Sequence, residues 1–244
     1  MNTLSIISII LIFFFSCSKQ ETKNVSETKH KLDSTKTFSL TENQKKVLRG
    51  AKKCLEAGFK YDNEMAYHVL KYRDGEFIGT KVYPNGDLDP ALGVCTEVTI
   101  RALRWGGVCD LQKEIHNDLK ENWNDYPMSR WSAKKSDVNI DHRRVPNQLV
   151  WFKKNWKEVT ELNAPPLRGG VGEGLLPGDV VIWDMNGDSW ADHIGIISDN
   201  LTPNLPKEEG ERYMVIHNFP SPGYVAEEDV LNRWEIIGVF RVKE

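Results

Sequence analysis

The chain has 244 residues, 40% of them hydrophobic and eight of them tryptophan, which is enough to bury a sizeable core. Its formal charge of −3 lacks the basic excess of a general nucleic-acid binder, and no nucleic-acid partner is expected. Beyond the N-terminus no apolar run is long enough to span a bilayer, and the sequence holds no Gly-rich phosphate loop, dinucleotide fingerprint or Gly-x-Ser-x-Gly elbow.

Leu4 to Phe15 is a continuous apolar and serine run, shorter than a membrane span, and it is followed by Ser16-Cys17. A small residue and then Cys directly after such a run resembles a bacterial lipoprotein processing site. That resemblance implies a signal peptide over residues 1–16, a lipidated Cys17 and a lipid anchor in the cell envelope; an ordinary signal peptide or an uncleaved anchor are the alternatives. Residues 17–40 are rich in Lys, Glu, Thr, Ser and Asn and almost free of apolar side chains, so burial cannot offset the entropy of ordering them. They read as a tether that leads to one domain over residues 41–244.

Thr41 with Gln44 has the spacing of a capping box, and Val47, Leu48, Ala51, Cys54, Leu55 and Phe59 recur at helical intervals up to a stop at Gly58. Tyr67 to Tyr72 alternates as a strand does, and Tyr83-Pro84-Asn85-Gly86-Asp87 has the residues of a turn. Gly93-Val94-Cys95-Thr96 opens a helix that Gly106-Gly107 ends, which puts a thiol in its first turn. Asp110 caps a helix with Leu111, Ile115 and Leu119 on one face, and Pro146 suits the first turn of another that runs to about Trp156. The C-terminal part changes period. Val180–Trp183, His193–Ser198, Tyr213–His217 and Ile236–Arg241 read as strands, with a hairpin turn at Asn186-Gly187-Asp188. Helices first and an antiparallel sheet second is an α+β order.

His193 opens one strand and His217 closes the next, so pairing those strands brings two imidazoles together. A thiol at a helix start, close to unpaired backbone N–H groups and the positive end of the helix dipole, is placed to become a nucleophilic thiolate. With His193 as its base and His217 orienting that base, Cys95 completes a unit suited to attack on a carbonyl, expected as a thiolate–imidazolium pair. Of the other cysteines, Cys54 and Cys109 are either free or paired with each other.

Leu176-Pro177-Gly178-Asp179-Val180-Val181, His193-Ile194-Gly195-Ile196 and Ile216-His217 resemble the NlpC family of papain-like cell-wall peptidases. Those enzymes carry the catalytic Cys at a helix start, the base His at a strand head and a second His on the following strand. The resemblance implies catalytic roles for Cys95, His193 and His217, with Asn218 or Asp192 as alternatives for the third member, and a supporting role for Tyr83, twelve residues before Cys95. Tyr83-Pro84-Asn85-Gly86-Asp87, Gly93-Val94-Cys95-Thr96, Asp141-His142-Arg143-Arg144-Val145-Pro146-Asn147, Gly178-Asp179 and Ile216-His217-Asn218 resemble a bacterial exported domain family of unknown function, numbered 1287. The two resemblances together imply a papain-like, NlpC-like cysteine hydrolase without cofactor or metal. It would cut amide bonds in peptidoglycan or another peptide as an amidase or endopeptidase. A binding module on the same fold and a zinc-dependent hydrolase are the alternatives.

Asp141, His142, Arg143 and Arg144 form a second charged cluster. Adjacent arginines can clamp a substrate carboxylate, or simply form an ion-paired turn. Trp190, three residues before His193, suits a cleft wall, and Arg101 and Arg104 are lesser candidates for contact with an acidic substrate. The lipoprotein reading has a direct check. Metabolic labelling with an alkyne fatty acid should tag the wild-type chain and not the Cys17→Ser variant; equal labelling of both would remove the anchor.

Overall fold

The computed structural model describes residues 40–64, 83–84, 86, 89–160, 162, 174–203 and 212–244, with the backbone of two short strands at 72–73 and 76–77. Cys17, the expected signal peptide, the tether through residue 39 and most of the Tyr67–Tyr72 segment lie outside the described residues. Helix α1 (Glu42–Ala57) begins with the expected reciprocal cap: Gln44 N–H donates to Thr41 Oγ1 at 3.2 Å, and Thr41 N–H donates to Gln44 Oε1 at 3.0 Å. It ends at Gly58, whose φ of 56° is the left-handed conformation that glycine adopts without steric cost. Short strands β1 (Lys60–Tyr61), β2 (Tyr72–Arg73), β3 (Glu76–Phe77) and β4 (Leu92–Gly93) follow, with β1 and β4 parallel neighbours.

Helix α2 (Cys95–Gly106) is buried from Cys95 through Leu103, on every side rather than along one stripe. It carries the β-branched run Val98-Thr99-Ile100, whose weaker helix propensity costs a few tenths of a kcal/mol per residue. Burial of Val98, Ile100 and Leu103, each fully enclosed, contributes about 1.5–3 kcal/mol per side chain and decides the matter. Helices α3 (Leu111–Glu121) and α4 (Val145–Asn155) follow, the first capped by Asp110 and the second with Pro146 in its first turn. Three 3₁₀ turns lie between α3 and α4, at Trp123–Asp125, Met128–Trp131 and Asp141–Arg143.

Six strands then form one antiparallel sheet. They are β5 (Lys157–Glu158), β6 (Val180–Asp184), β7 (His193–Leu201), β8 (Tyr213–Asn218), β9 (Val225–Glu228) and β10 (Glu235–Arg241), in the order β5-β10-β6-β7-β8-β9. The four strands expected in the C-terminal part are all present. The edge strands β5 and β9 carry no strand signal of their own, because Lys157-Glu158 and Val225-Ala226-Glu227-Glu228 are short and mostly charged, as edges commonly are. The fold is α+β, with the helices before the sheet. On one sheet face Ile182, Ile194, Ile196, Ile216 and Phe240 pack on the helices. On the other, Val181, Trp183, Ile197, Val215 and Val239 are covered by Val230 and Leu231 from the β9–β10 connection.

Helices α1 and α2 touch backbone to backbone. A Cβ on Gly50 would lie 1.9 Å from the Ala102 carbonyl oxygen, and one on Gly106 would lie 2.3 Å from the Lys46 carbonyl oxygen. Gly50→Ala must therefore push the helices apart. Its expected cost is about 1–3 kcal/mol or more, read as a lowered urea midpoint. A variant as stable as wild type would refute the close approach.

Candidate functional site

Cys95 stands at the first position of α2, and the turn before it is held from three directions. Arg101, wholly buried, donates to the carbonyls of Asp89, Pro90 and Leu92 at 2.8–3.1 Å and lays its guanidinium 4.1 Å from the Phe59 ring centroid. Glu97 Oε2 accepts the Val94 N–H at 2.8 Å. The Asn218 side-chain amide donates to the Gly93 carbonyl at 3.2 Å. Of the two arginines expected as lesser substrate contacts, Arg101 holds this loop, and Arg104 pairs with Asp110 at 2.9 Å.

The side of the sheet on which each histidine lies follows from strand alternation. Ile194, Ile196 and Ile216 face the helices, so His193 and His217 point to the opposite face. There the His193 ring stacks on Trp183 at 5.4 Å and meets Phe219 and Trp234 edge-on at 5.2 Å each. The thiol approaches around the end of the strand pair rather than across a face. The β7–β8 ladder ends at Ile196↔Ile216; two residues on, Ile194 would oppose Asn218. At that point the Ile194 N–H turns to the Cys95 sulfur, which sets the thiol beside the His193–Ile194 peptide.

His193 Nε2 lies 2.8 Å from His217 Nδ1, and His217 Nε2 lies 3.1 Å from Glu228 Oε2 on β9. The proton arrangement follows by elimination. An ionised carboxylate only accepts, so His217 Nε2 donates to Glu228 and its Nδ1 accepts from His193 Nε2–H. His193 Nδ1 is then the ring nitrogen that keeps a lone pair. Nothing in the sequence signals Glu228: it sits in an edge strand next to Glu227, and only the β8–β9 register singles it out.

Burial governs the protonation states. It pushes the Cys95 thiol up to about 12, with the Glu97 charge adding to the rise, while the N–H groups of Ile194, Thr96 and Cys95 itself pull the other way. Burial lowers His193 to about 3, helped by His217 and Arg233, and His217 to about 4, helped by Arg233. In the resting protein the proton therefore stays on sulfur and both imidazoles are neutral. The expected ready-made thiolate–imidazolium pair is replaced by a neutral thiol, because desolvation and the Glu97 charge outweigh the three backbone N–H bonds.

The Asp141–Arg144 cluster, expected as a substrate clamp or an ion-paired turn, is tied to the protein's own groups. Arg143 Nε lies 2.7 Å from Glu97 Oε1, with both side chains almost wholly buried, and Nη1 donates to the Asn139 carbonyl at 3.0 Å. Its nitrogen also touches buried His142 Nε2. His142 is held well below its ordinary value by burial and then by Arg143 and Arg104, so it is a neutral internal group. Asp141 accepts the Asp137 N–H at 2.6 Å and is pushed up to about 6 by burial. Arg144 spreads 4.0 Å above Trp131 and 3.5 Å from Asp141. The cluster anchors the start of α2, since the partner of Arg143 is Glu97, two residues after Cys95.

Tyr83 packs edge-on against His116 at 5.4 Å. Tyr61, which pairs in register with Gly93, has its phenol raised by burial and then by the Cys95 charge. Trp190 is half-buried and carries the Arg130 guanidinium 4.1 Å above its ring. Cys95 and Cys109 are free thiols, Cys54 and Cys109 form no disulfide with each other, and the Cys54 thiol donates to the Val98 carbonyl at 3.6 Å. Among the described residues, the close group of metal-type ligands is Asp184, Asp188 and Asp192, and not Cys95 with the two histidines. The carboxylate of Asp184 accepts the N–H groups of Asn186, Gly187 and Ser189, which shape the β6–β7 loop.

The family model described as Domain of unknown function (DUF1287) matches residues 51–242, a span that holds Cys95, the Asp141–Arg144 cluster and both histidines. The chain belongs to that family. Uncharacterized protein YijF of Escherichia coli (strain K12) is 39% identical over 159 residues, which is 65% of this chain and 68% of the relative. The crystal structure of an N-acetylmuramoyl-L-alanine amidase from Bacteroides uniformis aligns with 84% of this chain and 100% of its own at 13% identity and TM-score 0.42.

Alkylation tests the resting protonation state of this family member. Carbamidomethylation of Cys95 by iodoacetamide, followed by peptide mass spectrometry, should be slow at neutral pH and keep rising into the alkaline range, since the thiol is held up at about 12. A rate plateau near neutrality would mean that His193 already holds the proton.

Proposed function

We propose that this protein is a cysteine-dependent amide hydrolase of the bacterial envelope, acting on peptidoglycan peptides. The observation that carries the reading is the convergence at the open end of β7 and β8. Cys95 meets the Ile194 amide there, next to a His193–His217–Glu228 chain with bonds of 2.8 and 3.1 Å. The order Cys95, His193, His217 resembles that of NlpC peptidases, and the N-terminal export pattern supports the envelope as the compartment.

In this mechanism Cys95 Sγ bonds to the amide carbonyl carbon as its proton passes to His193 Nδ1 and the carbonyl π pair moves to oxygen. Backbone N–H groups at the start of α2, with the Tyr61 hydroxyl, stabilise the oxyanion. Collapse restores the carbonyl and breaks the C–N bond, and the leaving nitrogen takes the proton from His193. Water then attacks the thioester and gives its proton to His193. The second collapse breaks the C–S bond, returns that proton to sulfur and frees the acid. Glu228 and His217 hold the imidazole tautomer through both halves. Because the thiol is neutral at rest, proton transfer accompanies attack and does not precede it.

Mass spectrometry of peptidoglycan treated with purified protein tests the reading. Wild type should release new fragments. Cys95→Ala should release none, His193→Ala should fall by about 10²–10⁴ in kcat, and Glu228→Gln by about tenfold with KM little changed. Identical fragment patterns from wild type and Cys95→Ala would overturn the hydrolase and leave a peptide-binding module. Activity that survives thiol alkylation and is lost to a chelator would point to zinc chemistry.

A further inference from the structure

The side chain of Arg233 is on the surface, yet its position is defined. Its guanidinium lies 4.8 Å from the Trp234 ring centroid and 5.7 Å from that of Phe219. Both rings meet His193 at 5.2 Å, so one cation stands a single ring's width from the candidate base. Among the described residues no carboxylate lies within ion-pair distance of Arg233, and the nearby Glu228 carboxylate is engaged with His217 at 3.1 Å. The other cations singled out near the site are committed: Arg143 to Glu97, and Arg144 to Trp131 and Asp141.

A cation here works against the chemistry. Its charge disfavours protonation of His193 and His217, whereas the hydrolytic cycle needs a transient imidazolium at His193. An anion seated on Arg233 would offset that repulsion and would do so only when substrate is bound. The guanidinium fork suits a carboxylate in two-point contact, and the Phe219 and Trp234 rings limit the orientations it can take.

We propose that Arg233 anchors a free carboxylate of the substrate, so that the ligand is an acidic peptide whose carboxylate lies close to the amide to be cut. The proximity to the scissile bond rests on the hydrolase reading; the anchoring itself does not.

The test uses the full chain carrying Cys95→Ala, titrated calorimetrically with the peptide L-Ala-γ-D-Glu-meso-diaminopimelate in two forms, carboxylates free and all amidated. The free acid should bind at least about tenfold more tightly. Adding Arg233→Gln should abolish that preference, and adding Arg233→Lys should retain part of it, since a point charge keeps the attraction and loses the fork. A preference that persists undiminished in Arg233→Gln, or no measurable binding of either form, overturns the proposal. Cleavage of the same free-acid peptide by the chain with Cys95 intact is scored in parallel. Arg233-dependent binding without Cys95-dependent cleavage keeps the anchor and removes the hydrolase; cleavage with no Arg233-dependent preference does the reverse.

Discussion

The site depends on where the β7–β8 ladder stops. While two antiparallel strands pair, their N–H and C=O groups satisfy each other and leave no room for a side chain between them. Past Ile196↔Ile216 the ladder stops, and the segment that opens α2 meets the strand ends: the Cys95 sulfur takes the Ile194 amide, and the Asn218 side chain donates to the Gly93 carbonyl. Buried backbone groups need partners, so the same requirement that ends the ladder also fixes the thiol at one point. Strand alternation then sends both imidazoles to the sheet face away from the helices. The thiol and the histidines thus approach the same strand end from different sides.

A second consequence is electrostatic. A thiol at a helix start is usually read as activated, but α2 is enclosed along its first nine residues and carries Glu97 two positions after Cys95. Desolvation and that carboxylate raise the thiol, and desolvation lowers both imidazoles, so the thiol and both histidines are neutral at rest. Such a site does not hold a bare thiolate while waiting. Its charge separation is deferred to the moment at which a substrate supplies the electrophile and excludes water.

The buried Glu97–Arg143 contact shows why a charged motif is hard to read from residue types. Adjacent arginines look like a clamp for something external. Here one of them neutralises a carboxylate that would otherwise be buried alone beside the thiol, and losing one member of such a pair costs several kcal/mol. The pair joins the Asp141–Arg143 turn to the first turn of α2, with Arg101 bracing the preceding loop from the other side. Two segments whose charges suggest substrate contact are the supports that hold Cys95 in register.

Much of the fold was legible in the chain because it is set locally. The Thr41–Gln44 box, the Asp110 cap, the glycines after α1 and α2 and the alternating runs before His193 and His217 each act through neighbours a few residues away. The order of Cys95, His193 and His217 was legible for the same reason, as was the pairing of the two histidines, which adjacent strands bring together. What only tertiary structure decided was partnership and burial. Glu228 rather than Glu227 reaches His217, Arg143 turns inward to Glu97, Tyr61 pairs beside Gly93 while Tyr83 packs on His116, and Arg233 lies over Phe219. None of these has a local signature. Each depends on which side chains meet across long sequence separations and how much water remains between them, and that water content sets whether a charge is kept, paired or neutralised.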